Sequence, residues 1–121
     1  MEFMLLLNGD ENAWKKWTKE EADRVNAAYF KYTNDLVAAG KMRGGAPLEP
    51  TSKGAARVSV TAGKKRVVDG PFTEAREVCG GYYLIDCASK EEAVEWAARC
   101  PAAEHGIVEV RQIMPISMET K

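Results

Sequence analysis

An α+β fold of the ferredoxin-like kind, two helices on one face of a mostly antiparallel sheet, is predicted by three features of the sequence. Two helical segments open on the same cap pattern, Thr18-Lys-Glu-Glu21 and Ser89-Lys-Glu-Glu92. Alternating or continuous apolar runs of strand length lie before, between and after them. The resulting order, β-α-(β)-β-β-β-α-β, holds too few helices to sheathe a sheet on both sides, which places both on one face. The 121 residues, 45 % apolar and 29 % charged, suit one domain with one core. Residues 1–115 are assigned to that domain and 116–121 to a short C-terminal tail, frayed after Pro115.

The first strand, Met1 to Asn8, is apolar on both faces: Phe3, Leu5 and Leu7 on one, Met4 and Leu6 on the other. Both sides of such a strand need cover. The run from Phe3 to Leu7 is too short for a membrane span or a signal core, and acidic Asp10 and Glu11 follow it. A cytoplasmic protein without a membrane partner is expected.

The first helix begins at Thr18, whose hydroxyl is placed to accept the Glu21 amide while Glu21 reaches back to the cap amide. Trp17 is placed to staple onto Ala22. Ala22, Val25, Tyr29, Tyr32, Leu36 and Ala39 repeat in steps of three and four and form one core-facing stripe. Gly40 supplies the left-handed residue that ends the helix.

Lys41 to Gly54 is rich in Gly and Pro and is expected to hold one short strand, Met42 to Gly45, and then a loop. Ala56 to Thr61 alternates as a half-exposed strand, turns at Ala62-Gly63-Lys64 and returns through Lys65 to Val68 as a hairpin. After Asp69-Gly70-Pro71-Phe72, Thr73 to Val78 is expected to form a short helical turn. Gly81 to Cys87 is a strand with apolar or aromatic residues on both faces. The second capped helix carries Ala93, Trp96, Ala97 and Cys100 on one face and stops at Pro101. His105-Gly106 leads into the last strand, Ile107 to Ile113. Two helices leave one sheet face bare, and a second copy of the same sheet is the simplest cover. A homodimer is expected on that ground.

Charge and cysteine content exclude several classes of function. Seventeen basic residues against eighteen acidic ones give a net charge of −1, which offers no general attraction for nucleic acid. The basic run Lys64-Lys65-Arg66 reads as a solvated hairpin tip. Three cysteines, Cys79, Cys87 and Cys100, have no CxxC or CxxH spacing, so zinc and a disulfide framework are not expected. No P-loop, GxGxxG, HExxH or nucleophile elbow occurs, and neither cofactor nor metal is expected.

Residues 69 to 87, DGPFTEAREVCGGYYLIDC, resemble the signature of the DGPF branch of the YCII-related family, DGPF-x-E-x-K-E-x-x-GGYYLI. The likeness runs outward to the FMLLLNGDE start, the long first helix and the EAVEWAARCPAAEHGIVEVR end, about residues 2 to 113. The resemblance implies a dimeric α+β barrel, in which two ferredoxin-like sheets pack together. It also implies an accessory or regulatory protein of the kind associated with extracytoplasmic-function sigma factors, which makes a sigma factor a candidate partner. The wider family's His-Asp dyad does not carry over, because no histidine stands in the first helix or early loop. Arg76 stands where lysine is usual, and Gln112 where proline usually follows EVR.

Candidate chemistry rests on a few residues, each with a plain structural alternative. Asp69 is a general-base candidate at a cleft mouth, or a turn former beside Gly and Pro. His105, the only histidine, is the first choice for proton transfer near neutral pH, or else a surface loop residue. Arg76 is an anion clamp, or pairs with Glu74 or Glu77 on the surface. Glu109 and Arg111 share one face of the last strand and are ligand-binding candidates. On the strand before the second helix the candidate is Tyr82, which shares a face with Asp86, or else the oppositely directed Tyr83, with core packing as the alternative for either. Two functions follow: the dimeric accessory protein, or a cofactor-independent enzyme or binder for a small organic molecule in a cleft of the dimeric barrel.

Overall fold

The computed structural model describes residues 1–116, so 117–121 of the expected tail lie outside the described residues. The elements are β1 (Glu2–Gly9), α1 (Glu11–Trp14), α2 (Lys19–Ala38), β2 (Met42–Pro47), β3 (Ala56–Thr61), β4 (Lys64–Asp69), β5 (Val78–Asp86), α3 (Lys90–Arg99), α4 (Ala102–His105) and β6 (Ile107–Gln112). The main sheet is ordered β2-β5-β1-β6, with every neighbouring pair antiparallel. Without the β3–β4 pair, the strands follow the ferredoxin-like order. The fold is α+β as the sequence predicts.

The helix-facing side of the sheet is the core. Phe3, Leu5 and Leu7 of β1 and Tyr83 and Ile85 of β5 are buried against Tyr32 and Leu36 of α2 and Ala93, Ala97 and Cys100 around α3. Period-two alternation does this: Met4, Leu6, Tyr82 and Leu84 point the other way and stay half-buried. Inside the core the Tyr32 hydroxyl donates to the Trp96 carbonyl at 2.7 Å. Tyr83 and Thr33 share a hydroxyl hydrogen bond of 2.8 Å. Burial pushes the Cys87 and Cys100 thiols up to about 11, so both are held as neutral packing groups.

The helix ends are built as the sequence suggests, with one correction. Thr18 and Ser89 accept the Glu21 and Glu92 amides at 3.1 and 3.2 Å. The return half of each capping box is not made. Glu21 takes the Thr18 hydroxyl instead, and Glu92 turns to Lys41, 2.7 Å away, because a full cation outbids a backbone amide for a carboxylate. Gly40, at φ 71°, closes α2: its amide donates to Val37, and the next amide, of Lys41, donates to Leu36. These two bonds form the Schellman arrangement. Ala39 is the cap residue and is exposed, so the core stripe ends at Leu36.

Three further expectations are corrected. The β3–β4 hairpin is a separate two-stranded arm rather than half-exposed sheet, and every one of its residues is exposed. Its apolar face, Val58, Val60 and Val67, stays 47 to 66 % exposed. Thr73 to Val78 forms no helix; a single turn, with the Ala75 amide on the Phe72 carbonyl, precedes a β5 that starts early at Val78. Finally, α1 and α4, each of 4 residues, form helical turns in segments where the sequence predicts no helix.

Candidate functional site

α1 exists because Asp10 accepts the Asn12 amide at 2.9 Å and so caps a turn that would otherwise leave its amides bare. That turn packs the Trp14 indole against the backbone of Gly9 and Gly80. A side chain at Gly9 would come within 2.5 Å of the ring and one at Gly80 within 2.9 Å. The first glycine of the Gly80-Gly81 pair therefore seats the indole. The second lets β2 approach, since a Cβ there would lie 3.1 Å from the Ala46 carbonyl oxygen.

Trp14 is one wall of a cleft at the end of the helix-facing side of the sheet. Leu7 and Asn8 of β1, Gly80 of β5, Val25, Asn26 and Tyr29 of α2, and Trp17 and His105 complete a space of about 230 Å³. His105 ends α4 and sets its ring edge-on to Trp17, centroids 5.2 Å apart. A wider trench of about 460 Å³ continues along α2 and the β2–β5 edge, sharing Leu7, Asn26, Tyr29 and Gly80 with the first space. Burial raises the Tyr29 phenol above its ordinary value, which keeps it a neutral hydrogen-bond donor. The cleft thus combines aromatic surface, two amides, a phenol and an imidazole.

Of the residues singled out in the sequence, His105 borders this cleft. Asp69 does not: it is exposed at the end of β4, opposite Ala56 in the hairpin ladder, and borders neither space. Arg76 is exposed in the loop before β5, and the cation nearest Glu74 is Arg57, at 3.8 Å, rather than Arg76. Glu109 and Arg111 pair with each other at 3.2 Å. They lie opposite Leu6 and Met4 on the open side of the sheet, where Tyr82 also lies opposite Leu6. Tyr82 additionally borders the trench. The candidates therefore fall into four places: the cleft, the open sheet face, the hairpin base and the loop before β5.

The DGPF corner is tied into the fold by a network that the sequence does not announce. The Gly70 amide donates to the Ala55 carbonyl at 2.9 Å. Phe72 is buried, with the Arg57 guanidinium 3.8 Å over its ring. The Phe72 amide donates to the Thr51 hydroxyl at 3.0 Å. That hydroxyl and the Thr51 amide both donate to Glu11, a carboxylate only 3 % exposed. The Thr51 hydroxyl, then its amide, hold the Glu11 pKa below the ordinary value, against a smaller opposing effect of burial. Asn12 adds a bond to the Thr73 carbonyl at 3.1 Å. Asp10, Glu11 and Asn12 thus lock the base of the arm to the turn that carries Trp14.

Sequence reasoning missed Trp14, Trp17, Asn8 and Asn26 as cleft residues and Glu11 as a buried acid. The glycine pair, matched to an aromatic residue needing a flat seat, was the signal available.

Residues 1–117 match the family profile of the YCII-related domain. An uncharacterised protein of Rhizobium meliloti is 41 % identical over 97 residues, covering 80 % of this chain and 77 % of that protein. Among solved structures, 5-chloro-2-hydroxyhydroquinone dehydrochlorinase from Burkholderia phenoliruptrix, in complex with 2,5-dihydroxybenzoquinone, aligns over 94 % of each chain. Its sequence identity is 18 % and the TM-score 0.48.

Proposed function

The chain belongs to the YCII-related family, and we propose that it holds a small organic molecule in the cleft between α2 and the sheet and exchanges a proton with it through His105. One observation carries this reading. Asn8, Asn26, Tyr29 and His105 converge on a single aromatic-walled cleft, and none of these four side chains makes a hydrogen bond among the described residues. Convergent polar groups with free bonding capacity in an apolar cleft are what a ligand site requires. His105 would take a proton from a bound hydroxyl or acidic C–H and return it to the product. Tyr29 would donate to the oxygen on which charge develops, and the amides would orient the ring.

A thermal-shift screen of small organic molecules tests the proposal. A hit at a hundredfold excess over its Kd stabilises the wild type by about 2.7 kcal/mol. The gain is expected to vanish in Trp14→Ala and to survive in Asp69→Asn. A hit whose gain is unchanged in both Trp14→Ala and His105→Gln would place the ligand elsewhere and sink the reading.

The accessory role is kept as a second proposal because the arm offers an unpartnered apolar face, Val58, Val60 and Val67, suited to a protein partner such as a sigma factor. Failure of the arm variant Val58→Asp to weaken capture of such a factor would reject it. For the homodimer, the half-buried Met4, Leu6, Tyr82 and Leu84 on a face that no helix covers are the supporting feature. Sedimentation equilibrium is expected to give twice the 13.3 kDa chain mass; a mass of one chain at all concentrations rejects the dimer.

A further inference from the structure

Among the described residues, the cleft and the trench are lined without a single lysine, arginine, aspartate or glutamate, in a chain of which 29 % of residues are charged. The charges begin on the far side of the Trp17–His105 pair. There a separate groove between α2, α3 and α4 carries Glu21, Arg24, Lys31, Asp35, Arg99 and Glu104. Trp17 and His105 border both spaces, so their edge-on rings form the partition between a charged groove and an uncharged cleft.

An ion entering a space without a countercharge gives up part of its hydration, and the neutral groups there replace it less well than an opposite charge would. Neutral groups lose much less, because the Asn8 and Asn26 amides, the Tyr29 phenol and the His105 imidazole can replace the water they leave. Shape adds a second restriction. Trp14 is held closely against Gly9 and Gly80, and Tyr29 and Trp17 flank the same space. Fixed aromatic surfaces favour a flat ring over a bulky aliphatic body.

From this we infer that the ligand class of the cleft is an uncharged planar ring bearing hydroxyl, carbonyl or amide groups, and that carboxylates, phosphates and ammonium compounds are rejected. The inference rests on the cleft being the ligand site. It removes Arg76 and Arg111 from any role as anion clamps for this ligand, since neither borders the cleft.

Calorimetric titration at pH 8 of 2-naphthol, 2-naphthoate and 2-naphthylmethylammonium, one ring system in three charge states, tests it on the full chain. The neutral probe is expected to bind at least about tenfold more tightly than either ion, a difference of about 1.4 kcal/mol. Trp14→Ala is expected to abolish that binding. Asn26→Lys, an exposed helix position that can change without disturbing the core, installs the missing cation and is expected to raise naphthoate affinity by about tenfold. Wild-type binding of either ion as tight as that of naphthol, lost in Trp14→Ala, overturns the ligand class and leaves the cleft as the site. Absence of binding by all three probes, or binding that Trp14→Ala leaves intact, overturns the cleft itself and the inference with it.

Discussion

Replacing Gly70 by alanine is expected to lower the stability of the protein by about 3 kcal/mol, the upper end of the range for overpacking a closed site. A Cβ on Gly70 falls well inside contact distance of the Thr51 carbonyl oxygen and 3.3 Å from the Ala55 side chain. The oxygen belongs to backbone and cannot swing aside. The Gly70 amide is also bound to Ala55, so the corner cannot retreat without breaking that bond. Gly54 is the control. It has φ of 80° but nothing within 4 Å of its would-be Cβ, so alanine there carries only the left-handed penalty, about 1 kcal/mol. Urea midpoints of the two variants separate crowding from backbone preference. Equal losses would show that the corner relaxes around the added methyl and that crowding there costs little.

Glu11→Ala is expected to cost about 2 kcal/mol, because the part-buried Thr51 amide and hydroxyl lose their shared acceptor. The pH dependence has a definite sign. The folded protein holds the Glu11 pKa below its ordinary 4.5. The carboxylate therefore stabilises the fold above that pH, and the contribution drains away as pH falls through the folded value. Glu11→Gln keeps the size and an acceptor but removes the charge. The gap in Tm between wild type and Glu11→Gln should be wide at pH 6 and close towards pH 3. A gap that stays constant would mean that the charge adds nothing. Asp86 and Glu92 are also held low, by the N-terminal amine and by Lys41 respectively, so the variant flattens the acid limb without abolishing it.

Much of the scaffold was readable because it depends on neighbours in sequence. The caps at Thr18 and Ser89, the stop at Gly40 and the alternation of β1 are local devices with fixed residue types. What failed depends on partners far along the chain. Glu21 and Glu92 have the spacing of a reciprocal cap, yet Lys41, far off in sequence just after α2, claims Glu92. Glu11 looks like any solvated acid in an Asp-Glu-Asn turn, and only Thr51, 40 residues on, makes it a buried acceptor. The β3–β4 pattern reads as half-buried because alternation reports which face is apolar, not whether anything covers it. The candidate site was the least readable part. Its walls come from β1, α1, α2, α4 and β5, and each of its residues has an ordinary packing role when viewed alone. His105 was found by its chemistry, whereas Asp69 was suggested by its position in a conspicuous motif. The motif is conspicuous for a structural reason: Gly70 and Phe72 hold the hairpin to the body.

The arm's geometry bears on how this fold can be extended. Ala56 and Asp69 face each other across the first rung of the hairpin, so the excursion leaves and rejoins the body at one point. An insertion of that kind is modular. It can grow, shrink or acquire a graft at its Ala62-Gly63 tip without rerouting a strand of the main sheet. Lineages that share the sheet and the Trp14 seat are thus free to diverge in the arm, and an engineer has there a port for attaching a tag or a second domain.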